Sequence, residues 1–232
     1  IADSVGLGKT YEALAIIKYF ELKNDKVLVL CPKKLSDNWT VYQAHKHDVL
    51  NPLEKDRFGY TVMYHTDLSR ESGHSSADNV NLQTFNWGAF DLIVIDESHN
   101  FRNNTPGKKD EEGNIIRKSR YQRLMDDIIK RGKKTKVLLL SATPVNNTLK
   151  DLRNQISIIS GEEDAAFSNE DSIGLPSVSN TLKVAQRQFS EWAHKKGDKV
   201  STELLNTLDS GFFKLLDELT IARSRKHVKK FY

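Results

Sequence analysis

The chain opens on Asp3-Ser4-Val5-Gly6-Leu7-Gly8-Lys9-Thr10, a glycine-rich turn that ends in Gly-Lys-Thr and precedes a helical pattern of apolar residues. Gly6 and Gly8 allow backbone torsions that other residues resist, so the turn can curl with its N–H groups pointing inward. The N-terminus of the following helix adds the positive end of its dipole, and such an arrangement binds phosphate oxygens. The candidate phosphate-binding residues are therefore Gly6, Leu7, Gly8, Lys9 and Thr10.

Two side chains of this loop have separate expected roles. In a loop of this kind Lys9 reaches the β- and γ-phosphates of a nucleotide, and the Thr10 hydroxyl holds Mg²⁺. The general pattern has a small residue five positions before the last glycine, and this chain has Asp3 there. A chance glycine turn before a helix is the alternative interpretation, which the motifs further along the chain disfavour.

Composition places the chain among ordinary globular proteins. Its 232 residues are 38% hydrophobic, which allows one large domain or one domain with an appendage. No stretch approaches the ~18 apolar residues that a membrane span needs, so no membrane partner is expected. The single cysteine, Cys31, excludes an internal disulfide and favours a reducing compartment. We expect a cytoplasmic location, at the nucleoid in a bacterium or in the nucleus in a eukaryote.

The ends of the chain and its charge give two further indications. Because the sequence begins at Ile1 rather than at Met, we interpret it as a piece of a longer protein. The formal net charge of +4 is too small to indicate a nucleic-acid partner. The last ten residues, however, carry five basic side chains and no acidic one. Either a solvated tail or a phosphate-contacting segment is consistent with this composition.

Apolar runs alternate with helical patterns over the first 160 residues. Short continuous apolar runs are typical of strands covered on both faces, as in a parallel sheet. This alternation predicts a doubly wound α/β sheet. Strands are predicted at residues 26–31, 61–64, 80–85, 91–96 and 136–140, helices at 35–47 (capped by Ser36), 121–129 and 149–159, and a mobile loop at 103–117.

The pattern changes beyond Ser160. Residues 162–179 are polar and loop-like, and two helical faces follow, the second interrupted by Gly211. We therefore expect two units, an α/β lobe over residues 1–160 and a helical appendage with a basic segment over residues 161–232.

An acidic strand end complements the phosphate-binding loop. Ile93-Val94-Ile95-Asp96-Glu97 carries the chain through the sheet and delivers two carboxylates at its C-terminal edge, where ligands of such sheets bind. Asp96 is placed to hold Mg²⁺ through water, and Glu97 to orient and deprotonate an attacking water. Two acids that merely end a strand are the alternative, which the upstream loop disfavours.

A coupling role is expected for the residues next to this acidic pair. His99 completes Asp96-Glu97-Ser98-His99, and Ser141-Ala142-Thr143 emerges from the neighbouring predicted strand. Hydroxyl groups at that strand end can hydrogen-bond the histidine and sense the γ-phosphate. We assign His99, Ser141, Ala142 and Thr143 to coupling rather than to bond breaking.

Taken together, these motifs resemble the first lobe of a superfamily-two helicase, and in finer detail the SWI/SNF-type DNA-dependent ATPases. The phosphate loop of that family reads Asp-Glu-x-Gly-Leu-Gly-Lys-Thr, from which Ser4 departs. The resemblance runs from Asp3 to the C-terminus, except over residues 162–179. Its further motifs are Cys31-Pro32 with Asn38-Trp39, Gln83-Thr84-Phe85, Asp96, Glu97 and His99 with Arg102 and Asn103, Thr143, Pro144 and Asn147, and the basic run from Arg223 to Val228.

The resemblance implies a three-layer RecA-like lobe that binds ATP and Mg²⁺. Such a lobe grips double-stranded DNA and moves along it by ATP hydrolysis, together with a second lobe that supplies an arginine to the γ-phosphate. We expect phosphate contacts at Lys33, Lys34 and Arg102, in loops at the C-terminal edge of the sheet. Without the second lobe, the 232-residue chain should hydrolyse ATP barely, and the segment after Arg223 should lead away towards that lobe.

Three other functions stay open at this point. An RNA helicase shares the main motifs, although the Arg102-Asn103 extension argues against it. A non-catalytic nucleotide-gated scaffold would ordinarily lack Lys9 or Glu97, and both are present. A phosphate-loop transport ATPase is disfavoured by Asp-Glu-Ser-His and Ser-Ala-Thr.

Overall fold

A parallel sheet forms the centre of the structure, a computed structural model that describes residues 1–101, 103, 106–132, 134–143, 149–169, 173–195 and 200–231. Four strands lie in the order β2-β1-β3-β6, and a separate antiparallel hairpin consists of β4 and β5. The strands are β1 (Val27–Cys31), β2 (Thr61–Tyr64), β3 (Leu92–Ile95), β4 (Lys108–Lys109), β5 (Ile115–Arg117) and β6 (Lys136–Leu139). The predicted parallel α/β sheet is confirmed; its four strands lie at four of the five predicted positions.

Helices cover both faces of this sheet. Among the described residues, no helix is long and apolar enough to cross a membrane. A π-helical stretch, Leu124–Ile129, directly continues α3. The helices are α1 (Lys9–Glu21), α2 (Asp37–Thr40), α3 (Arg120–Arg123), α4 (Leu149–Ser160), α5 (Val178–His194), α6 (Ser201–Thr207), α7 (Ser210–Leu219) and α8 (Arg225–Phe231).

The apolar strands alternate their side chains between two cores. In β1, Val27 and Val29 pack on one face with α1, whereas Leu28 and Leu30 pack on the other face with the π-helical stretch and Ile158 of α4. All five residues of β1 are buried, as expected of a central parallel strand covered on both sides. Helix, sheet and helix therefore form three layers, and the C-terminal ends of the strands meet at one edge.

Residues 1–4 lie beside β6, outside the four-stranded sheet, and are hydrogen-bonded to the end of that strand. The Ile1 amino group donates to the Leu139 carbonyl oxygen at 2.6 Å, and the Ser141 N–H donates to the Ile1 carbonyl oxygen at 3.1 Å. On their far side, the same residues form two backbone hydrogen bonds, of 2.7 and 3.0 Å, with residues 221–223. The chain segment that leads into the phosphate loop is thus held between β6 and the segment before α8.

An ion pair between the buried Asp3 and the partly exposed Arg223 holds residues 1–4 in place. Asp3 is fully buried, and its carboxylate accepts hydrogen bonds from the Arg223 backbone N–H at 2.7 Å and from Arg223 Nε at 2.9 Å. Burial raises the pKa of the Asp3 carboxyl, but the hydrogen bonds from Arg223 and the nearby charge of Lys9 outweigh it, so the pKa is lowered overall. This pairing also explains why an aspartate occupies a position where a small residue is usual.

The helix predicted at residues 35–47 is wrong. The chain forms a 3₁₀ turn (Lys33–Leu35), the short α2 and a second 3₁₀ turn (Ala44–Lys46) instead. Ser36 has helical torsions and makes no side-chain cap. A continuous helix cannot pass through residue 43, because Gln43 is extended, with ψ of 128°. Gln43 is also buried, and its side-chain amide donates to the Tyr60 carbonyl oxygen at 2.8 Å.

Two further segments differ from prediction in the centre of the chain. Residues 80–85 form no strand; their pairing is an isolated bridge between His74 and Asn81. The Asn81 side chain accepts the Gln83 N–H at 3.0 Å, and such local bonds compete with strand pairing. The predicted loop at 103–117 contains, in its described part, the β4–β5 hairpin.

The C-terminal helices pack on α4 through their apolar faces. Leu182 and Ala185 of α5 and Phe212 of α7 share one buried cluster with Ile156 of α4. The predicted interruption at Gly211 lies slightly earlier, between Thr207 and Ser210, where the Asp209 side chain accepts the Gly211 N–H at 3.0 Å. Helix α8, which follows residues 221–223, was not predicted.

The ion pair at the sheet edge predicts a pH-dependent stability. Asp3→Asn should lower the free energy of unfolding by about 1–2 kcal/mol at pH 7, because it removes a charged hydrogen bond. This loss is smaller than for a fully buried pair, because the Arg223 side chain is 41% exposed. Because the folded-state pKa of Asp3 is lowered, its contribution is present above the ordinary aspartate pKa and is lost as pH falls through the folded value. The difference between wild type and variant in urea unfolding should therefore shrink at acid pH. An equal difference at pH 7 and at acid pH would contradict the ion pair.

Candidate nucleotide-binding site

The glycine-rich loop has the backbone that its sequence predicts. Gly6 and Gly8 have φ angles of 82° and 86°, in the left-handed region that other residues avoid. Helix α1 begins directly afterwards at Lys9, whose ammonium donates to the Asp3 carbonyl oxygen at 2.9 Å. Lys9 therefore folds over its own loop and is bonded to backbone oxygen atoms rather than to a carboxylate. Its charge is available for a phosphate group, with the half-buried Thr10 next to it.

The carboxylate of Asp96, at the end of β3, is held by two hydrogen bonds. Its Oδ2 accepts the Trp39 Nε1–H at 2.9 Å, and its Oδ1 accepts the Glu97 backbone N–H at 2.9 Å. Trp39 is fully buried beneath the site, so its indole cannot turn away. Each carboxylate oxygen keeps further lone pairs for a metal ion or water.

Glu97 adopts an unusual backbone conformation at the same edge. Its φ is 49°, a left-handed torsion that is uncommon for residues other than glycine. The Glu97 carboxylate lies 3.1 Å from His99 Nδ1, and the same ring nitrogen lies 3.4 Å from Ser141 Oγ. His99 therefore spans the space between the end of β3 and the end of β6.

The residues that follow β6 complete this arrangement. Ser141 is buried, and its hydroxyl oxygen accepts the Thr143 N–H at 3.2 Å. Ala142 is half-buried and Thr143 is exposed. The structure thus brings together Glu97, His99 and Ser141 as sequence reasoning expected; Pro144 and Asn147 lie outside the described residues.

Two of the three predicted nucleic-acid contacts lie in the described part of the chain. Lys33 and Lys34 lie on the 3₁₀ turn after β1 and are exposed. Arg102 lies outside the described residues. The basic segment near the C-terminus, expected to lead away, instead borders the phosphate loop: Arg223 pairs with Asp3 and Glu12, and Arg225 Nη2 donates to the Val5 carbonyl oxygen at 3.0 Å.

Two buried titratable groups near the site take no charge at neutral pH. Burial, reinforced by the charge of Asp96, raises the pKa of the Cys31 thiol to about 12. Burial lowers the pKa of His65 to about 4, and its ring packs edge-on against Phe101. At neutral pH, therefore, Cys31 adds no thiolate and His65 adds no imidazolium beside the site.

The donor set is consistent with Mg²⁺ bound together with a nucleotide. Among the described residues, no group of three or more His, Cys, Asp or Glu side chains could hold a metal ion. Mg²⁺ keeps several waters and is usually bound through one or two carboxylates plus substrate phosphates, so a lone held carboxylate and a hydroxyl are sufficient. Asp96 and Thr10 would hold the ion, which would neutralise charge on the phosphates.

The contact of Trp39 with Asp96 is a feature of the candidate site that sequence reasoning missed. The resemblance included the tryptophan, but no local pattern indicates that its indole bonds to an acid 57 residues away. The same holds for Arg223 and Asp3, which are 220 residues apart. In both cases the signal in the sequence is a family motif rather than periodicity.

The indole hydrogen bond predicts a magnesium effect. Trp39→Phe should raise the Mg²⁺ concentration needed for nucleotide binding by about tenfold, the usual cost of losing a group that orients a metal ligand. Fluorescent-nucleotide binding titrated with Mg²⁺ measures this effect. Trp192→Phe is the control, because it removes an indole hydrogen bond to the Val200 carbonyl oxygen, away from the site. Equal Mg²⁺ dependence in the two variants would contradict the role of Trp39.

The amino-acid sequence of the chain is similar to parts of two longer bacterial proteins. The chain is 27% identical over 161 residues to the uncharacterized ATP-dependent helicase YqhH of Bacillus subtilis, covering 68% of this chain and 25% of the relative. It is 27% identical over 114 residues to the RNA polymerase-associated protein RapA of Actinobacillus succinogenes, covering 43% of this chain and 12% of the relative. The chain therefore spans a quarter or less of the length of these relatives.

A family model also matches most of the chain. Residues 1–146, from the phosphate loop through the strand end at Ser141, match the family described as type III restriction enzyme, res subunit (ResIII). That match covers more than half of the chain and both motifs of the site. The chain therefore belongs to the ResIII family and forms a helicase ATP-binding lobe.

Proposed function

We propose that this lobe binds Mg·ATP and that, together with a second lobe, it couples ATP hydrolysis to movement along double-stranded DNA, as SWI/SNF-type ATPases do. The observation that carries the proposal is the bridge from Glu97 through His99 to Ser141, beside a carboxylate that is already fixed. This bridge joins the acid expected to do the chemistry to the next strand of the sheet. A simple nucleotide-binding site has no need of it.

The proposed binding roles divide between loop and strand end. Lys9 neutralises the β- and γ-phosphates, and the loop N–H groups between Gly6 and Thr10 donate to their oxygens. Asp96 and Thr10 hold Mg²⁺. These groups act on the ground state, so we expect nucleotide binding by the 232-residue chain alone.

The proposed hydrolytic role belongs to Glu97. Its carboxylate orients the attacking water and takes its proton. The transition state spreads charge over the γ-phosphoryl oxygens, and an arginine that neutralises such charge is worth about 10³–10⁵ in rate. We assign that arginine to a second lobe, because Arg223 is already paired with Asp3 and Glu12. The chain by itself should therefore turn over ATP slowly, with little effect of DNA.

The proposed coupling uses the contact between strand ends. A change in the position of Glu97 on hydrolysis would be transmitted by His99 to Ser141. The Ser141 hydroxyl oxygen also accepts the Thr143 N–H, so the change would reach the following turn. The turn after β6 would therefore move with the state of the nucleotide. The names of the two relatives, an ATP-dependent helicase and an RNA polymerase-associated protein, support a nucleic-acid setting.

DNA contacts by this lobe are proposed to be made to phosphates. Lys33 and Lys34 are exposed at the carboxyl edge of the sheet, and no described carboxylate lies within 4 Å of either ammonium. Contacts of this kind position a protein on a duplex without reading its sequence. An RNA duplex or strand is the alternative substrate, and comparing matched DNA and RNA as stimulators of ATP turnover, in a protein that carries both lobes, distinguishes the two.

The binding role of Lys9 is tested by removing its charge. Lys9→Ala should weaken Mg·ATP binding by about 2–5 kcal/mol, the typical cost of truncating one partner of a charged contact. The measurement is isothermal titration of the folded variant with Mg·ATP. Lys23→Ala, which removes an exposed lysine just beyond the end of α1, should leave affinity unchanged. If the folded Lys9 variant bound Mg·ATP with wild-type affinity, the assignment of residues 6–10 as a phosphate loop would be contradicted.

The catalytic role of Glu97 is tested by an isosteric change. In a protein that carries both lobes, Glu97→Gln should keep ATP binding and lose turnover by about 10²–10⁴-fold, because the amide cannot accept a proton. Phosphate release at saturating ATP measures this loss. Glu111→Gln, in the exposed turn of the β4–β5 hairpin, is the control. Normal turnover by the Glu97 variant would place the base elsewhere.

A further inference from the structure

A cavity at the carboxyl edge of the sheet lies outside the candidate nucleotide site. Its volume is about 440 Å³, and its walls come from the turns after β2 and β3, the base of the β4–β5 hairpin and the start of α3. Four of the described residues that line it are cationic and none is acidic. The cationic residues are Lys108, Arg117, Lys118 and Arg120.

Most of this positive charge is not neutralised within the protein. Lys118 is paired with Asp127 at 2.7 Å. The Arg117 Nε–H donates at 2.7 Å to the Ser69 carbonyl oxygen, which carries no formal charge. Lys108 and Arg120 are exposed, and no carboxylate of the described part of the chain lies within 4 Å of either. The cavity therefore presents three uncompensated cations to solvent.

The walls of the cavity are held closely together. A Cβ atom at Gly107 would clash with the Arg117 carbonyl oxygen and with the Gln122 side chain, so the hairpin base approaches α3 at a distance that requires glycine. Gln122 is itself fixed, because it forms a reciprocal capping box with Ser119. The hydrogen bond from Arg117 to Ser69 ties the other side of the hairpin to the turn after β2.

The cavity is separate from the phosphate loop but shares a turn with the acidic motif. The phosphate loop follows residues 1–4, which lie beyond β6, whereas the cavity lies at the ends of β2 and β3. The 3₁₀ turn Ser98–Phe101, which follows Glu97, supplies Asn100 and Phe101 to the cavity wall. A ligand in the cavity would therefore contact the turn that carries His99.

We propose that this cavity receives backbone phosphates of the nucleic acid on which the lobe acts, an inference that rests on the proposed function. Guanidinium and ammonium groups recognise phosphate oxygens through charge-assisted hydrogen bonds. A polymer is favoured over a free phosphate because the charge continues along the same edge. Lys33, on the turn after β1, lies 6.0 Å from the ring of Tyr64 at the end of β2, adjacent to the turn that contributes Ser69.

The hairpin limits where the backbone can lie. Its turn carries Asp110, Glu111 and Glu112, which repel phosphates, whereas Lys108 and Arg117 are at its base. Two successive lysines of β4 also differ in placement: Lys108 lines the cavity, and Lys109, which is also exposed, does not. This difference supplies a matched control within one strand.

The test compares two double variants of the 232-residue chain by fluorescence anisotropy with a labelled 20-base-pair duplex over a range of salt concentrations. Lys108→Gln with Arg120→Gln removes two cations of the cavity, and Lys109→Gln with Arg131→Gln removes two exposed cations outside it. Losing two phosphate contacts should reduce the slope of log K against log salt by about 1.8, since each contributes about 0.9. The control should keep the wild-type slope.

The outcomes separate this inference from the proposed function. Equal slopes in the two double variants, with wild-type unfolding midpoints, would overturn the cavity as a phosphate site and leave DNA binding by the lobe intact. Absence of any salt-dependent binding by the wild-type chain, while it still binds Mg·ATP, would overturn both the inference and the DNA-directed function. A reduced slope in the cavity variant alone supports the proposal.

Discussion

The hydrogen bond from the Trp39 indole to the Asp96 carboxylate, 2.9 Å long, is the contact on which the geometry of the site depends. It links neighbouring strands, because Trp39 follows β1 and Asp96 ends β3. A carboxylate at a strand end otherwise has freedom to rotate between solvent and the sheet edge. Here the buried indole fixes one oxygen and the Glu97 amide fixes the other, so the remaining lone pairs have set directions. Groups that are fixed before charge develops need no reorganisation during reaction, which is the main advantage of preorganised sites.

The sheet determines which groups can meet at this edge. Its four strands are parallel, so the turns that follow them all lie at one edge of the sheet. His99 can reach both Glu97 and Ser141 because β3 and β6 are adjacent strands. Residues 221–223 are hydrogen-bonded to residues 1–4 and bring Arg223 and Arg225 to the phosphate loop. The N-terminal loop and the C-terminal basic segment are therefore one structural unit, although they are at opposite ends of the chain.

Sequence alone predicted the parts of the fold that are encoded locally. The glycine turn with Lys9 and the apolar run that ends in Asp96 are patterns that chemistry imposes on short stretches, and both were readable. Two predicted elements are absent for different reasons: a local hydrogen bond at Asn81 competes with the strand expected at 80–85, whereas a contact with a separate segment ends the helix expected at 35–47. The helix expected at 35–47 stops because Gln43 is drawn to the Tyr60 backbone, and no local propensity contains that contact. The ion pair of Asp3 with residue 223 and the cavity at the hairpin base, built from four separate segments, are tertiary features of the same kind.

The central claim is that the glycine loop and the acidic strand end form one nucleotide site linked to the turn after β6. Hydrogen exchange of the backbone amides, with and without Mg²⁺ and a non-hydrolysable ATP analogue, tests it most directly, because exchange reports local opening. We predict that nucleotide with Mg²⁺ slows exchange in residues 6–10, 96–99 and 141–143 together, and that nucleotide without Mg²⁺ slows it in residues 6–10 alone. Slowed exchange confined to residues 6–10 under both conditions, or absent from all three segments, would contradict the account.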